Sequence, residues 1–324
     1  MIRRGEFDVI AQSLAPLSDT PRGLGLTDDA ALYVPTAGRT AVLSTDTLVA
    51  GVHFLPDDPS GDIARKALRV NLSDIAAMGA APLGYLLNLA LPDTATDAWL
   101  DGFVAGLAAD QETYKITLFG GDTVRTPGPL TVSVTAIGEV RIGRALKRGG
   151  AQVGDRIYVT GTIGDAAAGL RLLTDPSDVS DVNAEFLCTR YRRPQPRVAV
   201  GPRLVGLATA AIDISDGLVA DLDHICETSA VAATVRAADV PLSGALRAAM
   251  AGPVLSLPDV LTGGDDYELL FCAPPTAHDA LIALGAELDV PVTPIGEITS
   301  GRDVTVIDEN GTPVALSRAG HTHF

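Results

Sequence analysis

Ala41-Val42-Leu43-Ser44-Thr45-Asp46-Thr47-Leu48-Val49-Ala50-Gly51-Val52-His53-Phe54 passes from apolar residues into hydroxyls and a carboxylate. The apolar run reads as a buried strand, and oxygens gathered where it ends suit a hard cation. The pattern recurs. Lys115-Ile116-Thr117-Leu118-Phe119 leads into Gly120-Gly121-Asp122, Ala211-Ile212 into Asp213-Ile214-Ser215-Asp216-Gly217, and Val260-Leu261-Thr262 into Gly263-Gly264-Asp265-Asp266. One acid after a strand is ordinary loop chemistry. Four such endings point to a site built at strand mouths.

Around this core the periodicity alternates between strand and helix, which gives a mixed α/β (α+β) fold. Phe7, Ile10, Leu14 and Leu17 recur at helical spacing, so Glu6 to Leu17 reads as a first helix. Next, Leu26-Thr27-Asp28-Asp29-Ala30-Ala31-Leu32 brings two acids to an apolar strand. A helix follows Ser60 or Asp62 and runs to Gly79, with Asn71 and Asp74 three apart and therefore on one face. Asp74 sits there among Leu72, Ile75 and Ala76, and a buried acid needs a partner. Helices are also expected over Asp97 to Asp110, Asp165 to Leu173, Gln195 to Ala208 and Gly217 to Glu227. Strands are expected over Tyr85 to Leu91, Arg156 to Thr160, Leu269 to Ala273 and Val304 to Asp308. In Leu130 to Ala136 apolar residues alternate with Thr and Ser, as in a strand with one wet face, and this strand is expected to expose one apolar edge. The basic, glycine-rich Ala145-Leu146-Lys147-Arg148-Gly149-Gly150-Ala151 marks a boundary between domains at 1–148 and 149–324.

The chain has 324 residues, more than one core usually spans. Forty Asp and Glu against 24 Lys and Arg argue against nucleic acid or an anionic membrane as the main partner. Cys188, Cys226 and Cys272 are far apart and lack metal-ligand spacing, so they read as small core residues of a reduced compartment. Met1-Ile2-Arg3-Arg4-Gly5-Glu6-Phe7 turns acidic before a signal region forms, and no apolar run has membrane-spanning length. A cytoplasmic location is expected.

The Walker pattern is absent, and Gly23-Leu24-Gly25 lacks the third glycine of a dinucleotide fingerprint. No nucleophile elbow exists for acyl chemistry. What remains is a set of acids beside glycines: Asp29, Asp46, Asp74, Asp122, Asp213 and Asp216. Ionised carboxylates share a cavity only when cations neutralise them, and oxygen-only ligation favours Mg²⁺, whose shell is often completed by substrate phosphates. Phosphoryl transfer is the chemistry this suits.

Five motifs carry a family resemblance: Ser44 to Phe54, Asn71-Leu72-Ser73-Asp74-Ile75-Ala76-Ala77-Met78-Gly79-Ala80, Gly120-Gly121-Asp122-Thr123, Asp213-Ile214-Ser215-Asp216-Gly217-Leu218 and Gly263-Gly264-Asp265-Asp266-Tyr267-Glu268-Leu269. Together, and in this order, they resemble the thiamine-monophosphate kinase family of the aminoimidazole-ribotide-synthetase-like superfamily. The resemblance implies two α/β domains, the first contributing strands to a barrel shared across a homodimer. It implies transfer of the γ-phosphate of ATP to thiamine monophosphate, with several Mg²⁺ ions. Asp29, Ser44, Thr45, Asp46, Asp74, Asp122, Asp213 and Asp216 match the family's metal ligands, and Asp46, Asp74, Asp122 and Asp213 would carry the catalysis. Tyr114, Gly121, Asp122, Arg148 and Ser215 match its ATP contacts, and His53, Asp265 and His321 its acceptor contacts. Two positions depart from the family pattern: Asp265 stands where Glu is common, and His321 where an aromatic residue is usual.

Other readings are a non-catalytic relative that binds nucleotide or divalent ions, or another ATP-using enzyme of the superfamily. A selenophosphate-forming relative would need an N-terminal reactive Cys, whereas the first here is Cys188. A hydrogenase-maturation relative would need a C-terminal Cys, and this chain ends in Phe324.

Overall fold

The computed structural model describes residues 4–19, 21–175, 180–251 and 255–316. The chain forms two compact units, Met1–Ile75 with Ala80–Gly143, and Ala76–Gly79 with Arg144–Phe324.

The first unit runs α1 (Glu6–Val9), β1 (Arg39–Val49), α2 (Ser60–Ala77), β2 (Ala81–Pro92), α3 (Asp97–Tyr114), β3 (Thr117–Thr126) and β4 (Thr131–Arg141). Its four strands lie in the order β1-β4-β2-β3. Strand register divides the side chains between two faces. Ser44, Asp46 and Leu48 share a face with Val132, Val134, Leu87 and Leu89. Helix α2 packs on that face through Asn71, Asp74 and Ile75. Thr45, Thr47, Ser133, Thr135 and Asn88 occupy the other face, where Leu43 is 65% exposed.

Four local expectations are corrected. The expected first helix is broken: a π turn at Ile10–Leu14 and a 3₁₀ turn at Ala15–Leu17 follow α1. Pro16 has no N–H to continue an α-helical ladder, and Phe7 faces solvent while Val9, Ser13, Leu14 and Leu17 are buried. The segment after Asp29 pairs with no strand among the described residues; Leu32 and Val34 are exposed, and Tyr33 is tied by its hydroxyl to Glu139 Oε1 at 2.9 Å. Asp122 lies inside β3 instead of at its mouth, and Ser44, Thr45 and Asp46 likewise lie inside β1, whose pairing with β4 runs on to Val49. A Cβ on Gly121 (φ 156°) would fall 1.7 Å from the Leu87 carbonyl oxygen, so glycine lets the ladder continue through the acid-bearing turn. Finally, Leu130 to Ala136 is no sheet edge, because β4 pairs with β1 and β2 on its two sides. Its alternation records a wet face, and face alternation carries no information about edges.

The second unit runs β5 (Arg156–Thr160), α4 (Asp165–Thr174), α5 (Asp181–Arg192), α6 (Gly201–Leu204), β6 (Ala210–Asp213), α7 (Leu218–Ser229), β7 (Ala232–Arg236), α8 (Gly244–Met250), α9 (Leu257–Thr262), β8 (Leu269–Ala273), α10 (His278–Leu288), β9 (Val292–Thr299) and β10 (Val304–Ile307). Its mixed sheet has the order β10-β7-β9-β5-β8-β6. Ile157, Val159, Leu270 and Cys272 face one core and Tyr158, Leu269 and Phe271 the other. Cover on both faces explains why β5 and β8 read as unbroken apolar runs. The expected helix over Gln195 to Ala208 shrinks to α6, since Pro196 and Pro202 lack the N–H groups that a continuous ladder needs and Pro202 fits only in the first turn of α6. Val260-Leu261-Thr262, read as a strand ending, is the end of α9. Among the described residues no helix is long and apolar enough to cross a membrane.

Candidate active site

In the first unit β1 and α2 bring three predicted ligands together. Ser44 Oγ donates to Asp74 Oδ2 at 2.5 Å. One turn earlier on the same helix, Asn71 Oδ1 accepts the Asp46 backbone N–H at 2.9 Å, and Asn71 Nδ2 is fixed by the Ala67 carbonyl at 3.0 Å. The i, i+3 spacing of Asn71 and Asp74 therefore works as a ruler, one residue locking the strand and the other facing its oxygens. Burial, and next the neighbouring Asp74 carboxyl, push the Asp46 carboxyl up to about 6. A neighbouring carboxyl raises a buried acid in this way.

Thr45 points to the other face, donating to the Val134 carbonyl at 3.1 Å and accepting from Thr135 Oγ1 at 3.0 Å. Thr135 also lines a cleft of about 670 Å³ that takes in Asp28, Asp29, Asn88, Gly121 and Asp122. The structure thus brings Asp29 and Asp122 to one cleft and Ser44, Asp46 and Asp74 to a cluster on the helix-covered face. His53 Nδ1 accepts the Val49 N–H at 3.0 Å across the turn at Gly51. Tyr114, half-buried at the end of α3, lies against the Arg69 guanidinium, 5.5 Å from its ring centre. Arg69 is itself held by Asp110, Nε to Oδ2 at 2.7 Å and Nη2 to Oδ1 at 2.8 Å.

The second unit holds Arg148, Asp213, Ser215, Asp216 and Asp265. Asp213 ends β6 and is 4% exposed. After it the backbone turns into α7, and Asp221 Oδ2 accepts three successive N–H groups, from Ser215 at 3.0 Å, Asp216 at 3.0 Å and Gly217 at 3.2 Å. Burial first, and then Asp216, push the Asp221 carboxyl up to about 7, against the lowering effect of those N–H bonds. Sequence reasoning missed Asp221; its place four residues after Gly217, in the first turn of α7, was the available signal. Asp265 N–H donates to the Ser215 carbonyl at 2.8 Å, which sets Asp265 beside the Ser215 segment. Arg148 is exposed, with its carbonyl accepting from Ser229 Oγ at 3.3 Å. His321 lies outside the described residues.

Among the described residues no three His, Cys, Asp or Glu side chains form a ready-made metal cage. Ser44, Asp46 and Asp74 nevertheless present oxygen only, with two carboxyl groups close together, a donor set that fits Mg²⁺. An ion that takes one or two carboxylates and completes its shell from phosphates needs no such cage.

The comparisons agree along the whole chain. Residues 27–140 match the family model of AIR synthase related protein, N-terminal domain, and residues 152–309 that of the C-terminal domain. The thiamine-monophosphate kinase of Escherichia coli (strain K12) is 45% identical over 324 residues, 99% of this chain and 98% of that one. The crystal structure of thiamine-monophosphate kinase from Stenotrophomonas maltophilia superposes with a TM-score of 0.84 at 45% identity, covering 93% of this chain and 94% of that one. A structure of AaThiL complexed with AMPPCP and TMP gives 0.79 at 32% identity, with 99% and 97% covered.

Proposed function

This chain belongs to the thiamine-monophosphate kinase family, within the AIR synthase related proteins, and we propose that its site acids serve the ATP-dependent phosphorylation of thiamine monophosphate to thiamine diphosphate. The observation that carries the site assignment is the Ser44–Asp74 contact beside Asp46, which gathers a hydroxyl and two neighbouring carboxyl groups at one place.

Phosphoryl transfer asks a protein for positioning and for compensation of charge on the moving group. Mg²⁺, when bound, supplies that compensation at the phosphate oxygens. Ser44, Asp46 and Asp74 would hold one such ion, and Asp29, Thr45 and Asp122 in the first unit and Asp213 and Asp216 in the second are the ligands for further ions. The chain supplies the positioning: Asn71 locks the Asp46 backbone, and Asp221 locks the Ser215-Asp216-Gly217 turn. Tyr114, Gly121, Arg148 and Ser215 would contact ATP, and His53, Asp265 and His321 the acceptor.

Incubated with Mg·ATP and thiamine monophosphate, the protein is expected to form thiamine diphosphate and ADP in equal amounts, resolved by chromatography, and none in excess EDTA. ADP and free phosphate without thiamine diphosphate would contradict the assignment, and absence of any turnover would favour the non-catalytic binding relative.

A homodimer is part of this reading. It is supported by the unpaired outer edge of β1 among the described residues, and by exposed Leu43 on the sheet face opposite α2 together with exposed Leu32 and Val34. Unpaired edges and apolar patches are normally covered. Light scattering is expected to give the mass of two chains at assay concentration, and the mass of one chain would contradict it. The acidic balance and the small soluble substrates support a cytoplasmic location without a nucleic-acid or membrane partner.

A further inference from the structure

The segment between α9 and β8, Gly263 to Glu268, has an unusual backbone. Asp265 (φ 72°) and Tyr267 (φ 52°) both occupy the left-handed region, which side-chain-bearing residues hold only where their surroundings over-determine it. Two sets of contacts do so here. Along one side, Asp265 N–H and Tyr267 N–H donate to the carbonyls of Ser215 and Ile214 at 2.8 Å each, and Ile214 N–H donates to the Glu268 carbonyl at 2.9 Å. On the other side the alternate residues Asp266 and Glu268 turn inward. Asp266, 1% exposed, accepts the Gly164 N–H at 2.7 Å at the start of α4.

Glu268 is fully buried and fully engaged. Its Oε2 accepts from Thr160 Oγ1 at 2.6 Å and from Arg197 Nε at 2.5 Å, and its Oε1 accepts from Arg190 Nη2 at 2.9 Å and from Arg197 Nη2. Thr160 Oγ1 in turn accepts the Leu269 N–H at 2.8 Å. Two guanidinium groups on one buried carboxylate are far more than folding a strand end requires, since replacing such a group with apolar residues is often neutral. What the arrangement does secure is geometry, because a planar fork fixes the angle of the carboxylate as well as its place.

We propose that Glu268, clamped by Arg190 and Arg197, is a positioning residue that sets the reversed backbone at Asp265 and thereby presents the Asp265 carboxylate to thiamine monophosphate. The inference rests on the reading of Asp265 as an acceptor contact. Its range is specific: the clamp acts on acceptor binding, while the turn carrying Ser215 and Asp216 has its own brace in Asp221.

Four variants test it: Asp265→Ala, Arg197→Lys, Glu268→Gln and the double variant Asp265→Ala with Arg197→Lys. Arg197→Lys keeps the charge and removes the fork. It is expected to raise the KM for thiamine monophosphate about tenfold, with the KM for Mg·ATP changed by less than about twofold. Glu268→Gln should behave likewise, and where it does not fold Arg197→Lys decides. Because clamp and presented residue act as one unit, the double variant should bind acceptor no worse than Asp265→Ala alone. A KM for thiamine monophosphate unchanged in folded Arg197→Lys, beside a raised one in Asp265→Ala, would overturn the inference and leave the premise standing. Both KM values rising together, or additive losses in the double variant, would make the clamp merely structural. An unchanged KM in Asp265→Ala would remove the premise itself.

Discussion

Asp46→Asn is expected to cut kcat by about a hundredfold or more while leaving the apo protein at least as stable as the parent. The substitution keeps the shape and the backbone N–H bond to Asn71 and removes only the anionic oxygen. Charge compensation at the moving phosphoryl group accounts for most of the catalysis in this reaction class, so its loss falls on turnover. Stability moves the other way. With its carboxyl raised to about 6, folded Asp46 favours the protonated form. The stability contributed by such a group is complete below its unfolded pKa and disappears as pH rises through about 6. At pH 7.5 the parent therefore carries a repulsive cost on the order of 1–3 kcal/mol that the variant lacks. Thermal unfolding of both apo proteins between pH 5 and 8 should show a shallower fall with pH in the variant. Activity lost only in proportion to folded fraction would make Asp46 a structural strand residue.

Asp110→Ala is expected to be the most destabilising single change in the first unit, by roughly 3–5 kcal/mol, because removing one member of a buried pair strands the other charge. Asp110 is 1% exposed, takes the Arg69 fork at 2.7 and 2.8 Å, and lies 3.9 Å from Arg65 Nε. At roughly 2–4 °C per kcal/mol the melting temperature should drop by about 10 °C. The same change removes the fork that holds the guanidinium against Tyr114, so the KM for ATP should rise while that for thiamine monophosphate stays put. A drop of less than about 2 °C would contradict the account of this pair.

The sequence carried the fold where a single period dominated. Arg156 to Thr160 and Leu269 to Ala273 are strands as expected, since cover on both faces leaves no polar position to blur them. Asp97 to Asp110 is a helix that continues to Tyr114 before Lys115 closes it in a left-handed conformation. Non-local effects were not legible. Gly120-Gly121 looked like a turn, and only the close approach of Leu87 explains why it is strand. The site was visible through its acids, because carboxylates beside glycines stand out in a chain short of cations. Their supports were hidden. Asp221, Asp110 and Glu268 look like ordinary helix or strand-end acids until the three N–H groups and the two guanidinium forks converge on them. Asp46 sits between these cases, since its residue type announced the chemistry while its partners Asn71 and Asp74 arrive from another element.

The most direct test of the central claim is the rate of thiamine diphosphate formation against free Mg²⁺, at saturating ATP and thiamine monophosphate, for the parent and Asp46→Asn. If the carboxyl pair on β1 and α2 holds the ion that serves phosphoryl transfer, the parent rate rises from zero to a plateau. The variant should then need about tenfold more Mg²⁺ or fail to saturate. Superimposable curves for the two proteins, or product formed by the parent in excess EDTA, would contradict it.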